Sequence, residues 1–173
     1  MKRLFVLAAF VFIAAIAANA QNKANFAGSW SLDKAKSQGL DQRMAEVDVT
    51  WTITQDDSKI TIESKVSGGQ APAGGGGGRG AGGPRTYTLD GKEVTTEGGG
   101  QMGGTNTTKA IWSGDGKTLE LTSVRAGSFN GNDFKATSTD KMSLSGDGKV
   151  LTVVRHSEST RGTTDSTWVL NKQ

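Results

Sequence analysis

Few residues in this chain could carry catalysis. It has one histidine and no cysteine, whereas acid–base or nucleophilic catalysis needs groups with separated pKa values or a nucleophile beside a base. The histidine, His156, has the opposite parity to Leu151 and Val153 along an alternating stretch, so we expect it on the outer face of a strand. Adjacent strand residues point to opposite faces, so Ser157 and Glu158 are not expected to form a relay with it. The sequence predicts no catalytic residue and no enzyme.

The carboxylates and glycine runs also lack the patterns that bind metals or nucleotides. Asp115 and Asp147 each occur in a Ser-Gly-Asp-Gly-Lys segment, where turn geometry accounts for the carboxylate. Calcium would need further oxygen ligands at alternate positions, where glycine and lysine stand instead. Arg79 is a single Arg-Gly element, and no Lys-Ser or Lys-Thr pair follows the glycine runs at a helix start. We therefore expect no metal ligand, no cofactor and no nucleic-acid partner.

Residues 1–20 have the features of a secretory signal peptide. Lys2 and Arg3 precede an apolar run over 4–18, and Ala18-Asn19-Ala20 supplies small residues for a cleavage site. A transmembrane anchor is the competing interpretation, but the apolar run is short for a membrane span. We expect cleavage after Ala20, a mature domain over 21–173 in the periplasm or outside the cell, and no integral membrane span in that domain.

Charge and cysteine content limit which partners the chain could bind and what could stabilise its fold. Removing Lys2 and Arg3 lowers the basic count from 20 to 18, against 17 acidic residues, so the mature chain is close to neutral. A nearly neutral chain gives no electrostatic reason to bind nucleic acid. Because the chain has no cysteine, no disulfide can stabilise a secreted fold, and the hydrophobic core must do so alone.

One pattern occurs twice and predicts β-hairpins. Residues 112–121, Trp-Ser-Gly-Asp-Gly-Lys-Thr-Leu-Glu-Leu, return in similar form at 144–153. Asp-Gly is typical of tight turns that need positive φ, and apolar residues alternate with polar ones on both sides of it. Weaker versions occur at 53–60 and 89–94. These hairpins predict an antiparallel meander.

Alternation elsewhere completes a set of about ten strands. Residues 33–44 favour a short helical turn and a loop. The glycine-rich loop 67–85 and the shorter cluster 98–104 cannot supply a core, so we expect flexible connections, both at the end of the sheet opposite the Asp-Gly turns. Besides the repeated hairpins, strands are predicted over 26–32, 47–54, 59–66, 86–89, 93–96, 105–113, 134–144 and 167–171.

Strands of this number must close into a barrel or split into two packed sheets, because open edges promote aggregation. We favour an all-β fold, a single antiparallel up-and-down β-barrel of about 8–10 strands, with a two-sheet sandwich as the alternative. An outer-membrane barrel fits less well. One tyrosine cannot form aromatic girdles, and threonine and lysine occupy the outer face.

The chain also resembles a known group of barrels. Gly28-Ser29-Trp30 on the first strand resembles the Gly-x-Trp signature of lipocalins. Over nearly the whole mature chain, residues 30–37, residues 86–92 and the two Ser-Gly-Asp-Gly-Lys hairpins are similar to small exported lipocalin-like proteins of bacteria. This resemblance implies a lipocalin-like barrel and export, but no particular activity. It also implies that Trp30 packs on an arginine from a late strand, a role that Arg155 matches best, whereas the long glycine loops depart from the lipocalin pattern.

The aromatic residues have two possible uses, core packing and ligand contact. Lys109 is expected outside, so Trp112, at the other parity, points inward. Inside a small barrel such residues usually fill the core. Small inward neighbours would nevertheless leave room for a ligand, and Arg155 would offer one positive charge to a carboxylate head group. The predicted ligand-binding residues are Trp51, Trp112, Phe134, Met142 and Arg155.

Two functions follow from this interpretation. The first is an exported, non-catalytic binding module that holds a small apolar or fatty-acid-like ligand inside the barrel. The alternative is a structural or envelope-associated protein that acts through its surface and glycine loops.

Closure of the barrel would pair the first strand with the last, so we expect Trp30 and Trp168 to lie close together.

Overall fold

The alternating pattern forms antiparallel strands throughout the computed structural model, which describes residues 23–68, 83–98, 104–129 and 131–173. The predicted signal peptide, most of the glycine-rich loop 67–85 and most of the second glycine cluster lie outside the described residues. The described chain contains one short helix, α1 (Gln42–Glu46), and ten strands. These are β1 (Gly28–Leu32), β2 (Asp48–Gln55), β3 (Lys59–Ser67), β4 (Arg85–Thr88), β5 (Val94–Glu97), β6 (Thr105–Trp112), β7 (Thr118–Phe129), β8 (Asn132–Leu144), β9 (Val150–Ser159) and β10 (Gly162–Lys172).

The strands form a single sheet that curves into a nearly closed barrel. Their order is β4-β3-β2-β1-β10-β9-β8-β7-β6-β5, so the first strand pairs with the last and every other pair joins strands adjacent in sequence. The sheet edges approach each other between β4 and β6, where Thr108 Oγ1 donates a hydrogen bond of 3.4 Å to the Thr86 carbonyl. The predicted antiparallel, lipocalin-like barrel is therefore confirmed, and the two-sheet alternative is wrong.

The two Ser-Gly-Asp-Gly-Lys segments form the same turn. In the first, Gly116 has φ 68°, and Asp115 Oδ1 accepts hydrogen bonds from Ser113 Oγ at 2.6 Å and from the Lys117 amide at 3.0 Å. Asp147 makes the matching bonds in the second turn. The hydrogen bond from the serine hydroxyl is the largest of the interactions that hold the pKa of each aspartate below its ordinary value. The hairpin prediction is confirmed for these two repeats and at 53–60, but it is wrong at 89–94, because β4 pairs with β3 and β5 with β6 rather than with each other. Both carboxylates of the repeats are used in turn formation.

The barrel has two distinct ends. The turn end carries the connections at 56–58, 113–117 and 145–149. The opposite end, which we call the loop end, carries the β1–β2 connection with α1 and the ends of the strands that flank both glycine segments. The prediction that both glycine segments leave the sheet opposite the Asp-Gly turns is therefore confirmed by these flanking strands.

The apolar core fills the half of the barrel nearer the turn end. Alternate residues of each strand point inward, as the pleat requires. On β7 and β8 the inward row is apolar at Leu119, Leu121 and Met142, then turns polar toward the loop end. The fully buried large side chains are Phe26, Trp30, Trp51, Ile53, Ile60, Leu119, Leu121, Met142, Leu151 and Leu170.

Closure of the barrel brings the first and last strands together as predicted, but with a register that separates two tryptophans. Trp30 lies opposite Lys172, four positions along β10 from Trp168. The ring that contacts Trp168 is that of Trp51, with centroids 5.7 Å apart.

Among the described residues, no helix is long and apolar enough to cross a membrane.

Candidate functional site

A buried ion pair lies in the middle of the barrel interior. Arg155 Nε donates to Asp140 Oδ1 at 2.6 Å, and Arg155 Nη2 donates to Asp140 Oδ2 at 2.7 Å. The arginine side chain is 17% exposed and the aspartate side chain 6%. Two parallel charge-assisted bonds of this kind hold a guanidinium and a carboxylate in one fixed geometry. The pair therefore forms a rigid polar layer above the apolar core.

The register of the β8–β9 hairpin brings these two residues together. The turn at 145–150 pairs Leu144 with Leu151, and the next inward pairs are Met142 with Val153 and Asp140 with Arg155. Each inward step advances both strands by two residues, so the pairing of the charges follows once the turn is fixed. Asp140 was not among the predicted site residues. Its parity with Met142, together with this register, is the signal that could have found it.

Two tryptophans enclose the guanidinium group. Arg155 Cζ lies 4.5 Å from the Trp168 ring centroid and 5.9 Å from that of Trp51. Cation–π attraction adds to the ion pair at such distances. Burial opposes the charge of Arg155, but the hydrogen bonds and attraction of Asp140 outweigh burial and raise the pKa of the guanidinium. Arg155 therefore stays charged, and Asp140 compensates that charge within the barrel.

Tyr87 of β4 lies against the same polar layer. It is 2% exposed, and burial is the main cause of its raised pKa; the charge of Asp140 raises that pKa further, whereas the charges of Arg85 and Arg155 lower it. The side chain of Ser123 on β7 is close enough to lower that pKa slightly. The polar layer thus extends across the barrel seam from β9 to β4.

A continuous row of hydroxyl side chains follows on the loop-end side of the ion pair. Register pairs join one residue from each of five consecutive strands, β6 to β10, all at inward parity. The three serines are half-buried, and Ser157 Oγ donates to Ser138 Oγ at 3.4 Å, which in turn donates to Asp140 Oδ1 at 3.4 Å. We call this set the hydroxyl row; it consists of Thr108, Ser123, Ser138, Ser157 and Thr164.

The facing side of the loop end is apolar. Val47, directly before β2, and Val66, near the loop-end limit of β3, are partly buried against the core, as is Met44 of α1. The sequence forms α1 because Asp41 caps it, accepting a hydrogen bond of 2.8 Å from the Met44 amide. The loop-end interior therefore has an apolar side formed by α1, β2 and β3 and a hydroxylated side formed by β6 to β10.

The structure brings together only part of the predicted ligand-binding set. Trp51 and Arg155 share the polar layer, and Met142 lies next to it in the filled core. Phe134 lies farther toward the loop end, with the Arg125 guanidinium 5.8 Å from its ring centroid. Trp112 lies at the turn end, stacked on Phe26 with centroids 6.0 Å apart. The five residues do not form one site, and their contact with a ligand remains a prediction.

The implied packing of Arg155 on Trp30 is wrong. The cation over the Trp30 ring is Lys172, whose Nζ lies 5.4 Å from the ring centroid, and Trp30 Nε1 donates to the Phe26 carbonyl at 2.9 Å. The β1–β10 register places Lys172 opposite Trp30, whereas Arg155 reaches Trp168. The cation that packs on Trp30 therefore comes from the end of β10, and it is Lys172 rather than the predicted Arg155.

His156 lies on the outer face as predicted, with its side chain 48% exposed. The prediction that Glu158 could not join it is wrong, because residues two apart on a strand share a face. His156 Nδ1 lies 2.6 Å from Asp165 Oδ1, and Nε2 lies 3.2 Å from Glu158 Oε1. Ser157 points inward, away from this exposed cluster.

A cleft of about 470 Å³ lies at the turn end, between the N-terminal segment and the β2–β3 turn. Its polar groups are used to hold the segment in place. Gln55 Oε1 accepts from the Phe26 amide and Gln55 Nε2 donates to the Ala24 carbonyl, both at 3.0 Å. The cleft is lined by Lys23, Asn25, Gln55, Asp56, Asp57, Leu89 and Trp112, and this arrangement covers the turn end of the core.

The geometry agrees with one comparison. In a search of solved structures, the chain matches zebrafish ileal bile acid-binding protein, crystallised with cholic acid, at 14% identity and a TM-score of 0.50. The match covers 86% of this chain and 98% of that chain. At this identity the likeness shows the fold alone, and it supports the lipocalin-like barrel. No protein-family model matches the sequence, and the search of curated proteins gave no match.

Proposed function

We propose that this protein is an exported, non-catalytic binding module that holds a small, largely apolar ligand inside the loop end of its barrel. The observation that carries the proposal is the two-sided interior at that end. Val47, Val66 and Met44 offer apolar surface on one side, and the hydroxyl row offers polar groups on the other. Small-molecule sites typically combine an apolar lining with a few fixed polar groups.

The fold and the buried polar layer support the same proposal. Below the ion pair the core is filled, so a ligand would rest on the layer formed by Arg155, Asp140 and Trp168. The matched zebrafish protein was crystallised with a bile acid, which makes bile acids and fatty-acid-like molecules the first probes. The exposed His156 cluster lies on the outer face of the barrel, away from the interior.

Tryptophan fluorescence tests the proposal directly, because Trp51 and Trp168 adjoin the polar layer. Titration with laurate, monolaurin and cholate should give saturable change for at least one probe, with a dissociation constant of about 1 μM or tighter. A rise in melting temperature with the same probe provides an independent readout. If no probe changes either signal, the binding proposal is wrong, and the alternative of an interaction protein that acts through its surface replaces it.

Export is a separate part of the proposal and rests on the signal-peptide features of residues 1–20. Intact-mass analysis of protein recovered from outside the cytoplasm should give a chain that begins at Gln21 or its cyclised form. Retention of Met1 in that fraction would contradict cleavage after Ala20.

A further inference from the structure

We infer that the loop-end site selects uncharged, hydroxyl-bearing amphiphiles, such as acyl glycerols, over carboxylates. This inference rests on the proposed function and names the class of its ligand. It differs from the expectation that Arg155 anchors a fatty-acid head group. The reason is the bidentate pair with Asp140, together with the hydroxyl row beside it.

The ion pair removes Arg155 as an electrostatic reason to bind an anion. Both Arg155 Nε and Nη2 are engaged by Asp140, and the Trp168 ring covers the guanidinium at 4.5 Å. A ligand carboxylate would have to displace an internal carboxylate that is already held at short range. If it approached without displacing Asp140, two like charges would meet in a partly buried space, which is unfavourable. The ion pair itself is therefore neutral toward an incoming ligand, whereas the charge of Arg125 at the loop end is exposed and screened by solvent.

The hydroxyl row supplies the recognition that the arginine does not. Each serine or threonine hydroxyl can donate one hydrogen bond and accept others, so the row can match both the donors and the acceptors of an alcohol. Ser138 and Ser157 are half-buried, and their contacts at 3.4 Å with each other and with Asp140 are long. A ligand hydroxyl group can replace these long contacts with shorter bonds. The adjacent strands present such groups side by side, which fits a head group with more than one hydroxyl.

The opposite side of the site accommodates the apolar part of such a ligand. Val47, Val66 and Met44 are partly buried there, and they face the strands that carry the hydroxyl row. An acyl chain packed on this side would place its glycerol head group toward β8 and β9. The division of the interior into two sides therefore matches an amphiphile that is neutral at its polar end.

The test compares two probes with the same acyl chain, laurate and monolaurin, by tryptophan fluorescence and calorimetry at pH 7.5. Monolaurin should bind at least about ten-fold more tightly than laurate, the ratio expected from roughly one well-formed hydrogen bond. Equal or tighter binding of laurate would overturn this inference while leaving the proposed function intact. Binding of neither probe would instead contradict the proposed function.

Variants test the ion pair and the hydroxyl row separately. Asp140→Asn should free Arg155 and reverse the preference, so that laurate gains about ten-fold or more in affinity while monolaurin does not. Ser138→Ala with Ser157→Ala keeps the ion pair and should weaken monolaurin at least about five-fold without weakening laurate. Thr139→Ala, on the outer face of β8 beside Ser138, is the matched control and should change neither. If Asp140→Asn does not fold, the serine variants decide alone, and unchanged monolaurin affinity in them overturns the inference.

Discussion

Asp140 and Arg155 lie directly opposite each other on β8 and β9 and join through two hydrogen bonds of 2.6 and 2.7 Å inside the barrel. This pair marks the boundary between the filled apolar core and the polar interior of the loop end. A buried ion pair is not by itself a source of stability, because desolvation offsets much of the attraction. Its position instead determines which ligands the interior can accept.

Removal of one partner of this pair should destabilise the fold strongly. Asp140→Ala leaves the Arg155 charge buried without compensation, and we expect a loss of about 3–5 kcal/mol in the free energy of unfolding. Replacing both, as Asp140→Leu with Arg155→Met, should cost less than the single change. Urea denaturation monitored by tryptophan fluorescence measures both. A double variant less stable than Asp140→Ala would contradict this account.

Trp30 should be one of the largest single contributors to the core. It is fully buried, and its Nε1 donates to the Phe26 carbonyl. Trp30→Ala should cost about 3–5 kcal/mol through the cavity that it leaves. Ser29→Ala, at the neighbouring exposed position, is the control and should change the free energy of unfolding little. A cost near zero for Trp30→Ala would mean that β1 contributes little to barrel stability.

The repeated turns allow a matched pair of glycine substitutions. Gly148 has φ 68°, and an added Cβ would meet nothing within 4 Å, so Gly148→Ala tests backbone conformation alone. We expect a loss of about 1–2 kcal/mol. Gly146 in the same turn also has open space but no positive φ, so Gly146→Ala should be neutral or stabilising by about 0.4–1 kcal/mol. Equal effects in thermal denaturation would show that the positive φ carries no cost.

His156 should titrate above the ordinary histidine value of about 6.5. The hydrogen bond to Asp165 is the main cause of the raised pKa, followed by that to Glu158. Because the folded-state pKa is raised, this contribution to stability is fully present below the unfolded pKa and is lost as pH rises through the folded pKa. The chain has one histidine, so its NMR titration is unambiguous. Asp165→Asn should lower the pKa, and an unchanged value would contradict the assignment.

The fold was predictable from the sequence because its signals are local. Alternation at Val49, Trp51 and Ile53 gives a strand with one buried face, and Ser-Gly-Asp-Gly-Lys gives a turn. Each hairpin then brings neighbours together without help from distant contacts. The same reasoning places Arg155 inside and His156 outside, and it would have paired Asp140 with Arg155 had the β8–β9 register been extended.

The candidate site was less predictable, because alternation along a strand shows which face a side chain occupies but not how far along the barrel axis it lies. Trp112 and Trp51 both point inward, yet Trp112 stacks on Phe26 at the turn end, whereas Trp51 adjoins Arg155. Nothing in the sequence links Ser123, Ser138 and Ser157 to one another, because single serines in strands are common. Their significance comes from lying in one row across adjacent strands.

The sequence alone therefore determined the strands, their turns and the inward or outward face of most side chains, since each depends on residues close together in the chain. Tertiary structure decided which residues meet across the barrel. The offset between β1 and β10 is set by closure, where strand number, tilt and stagger must agree around the whole circumference. That offset places Lys172 over Trp30, and sets Trp51 against Trp168, which Arg155 covers.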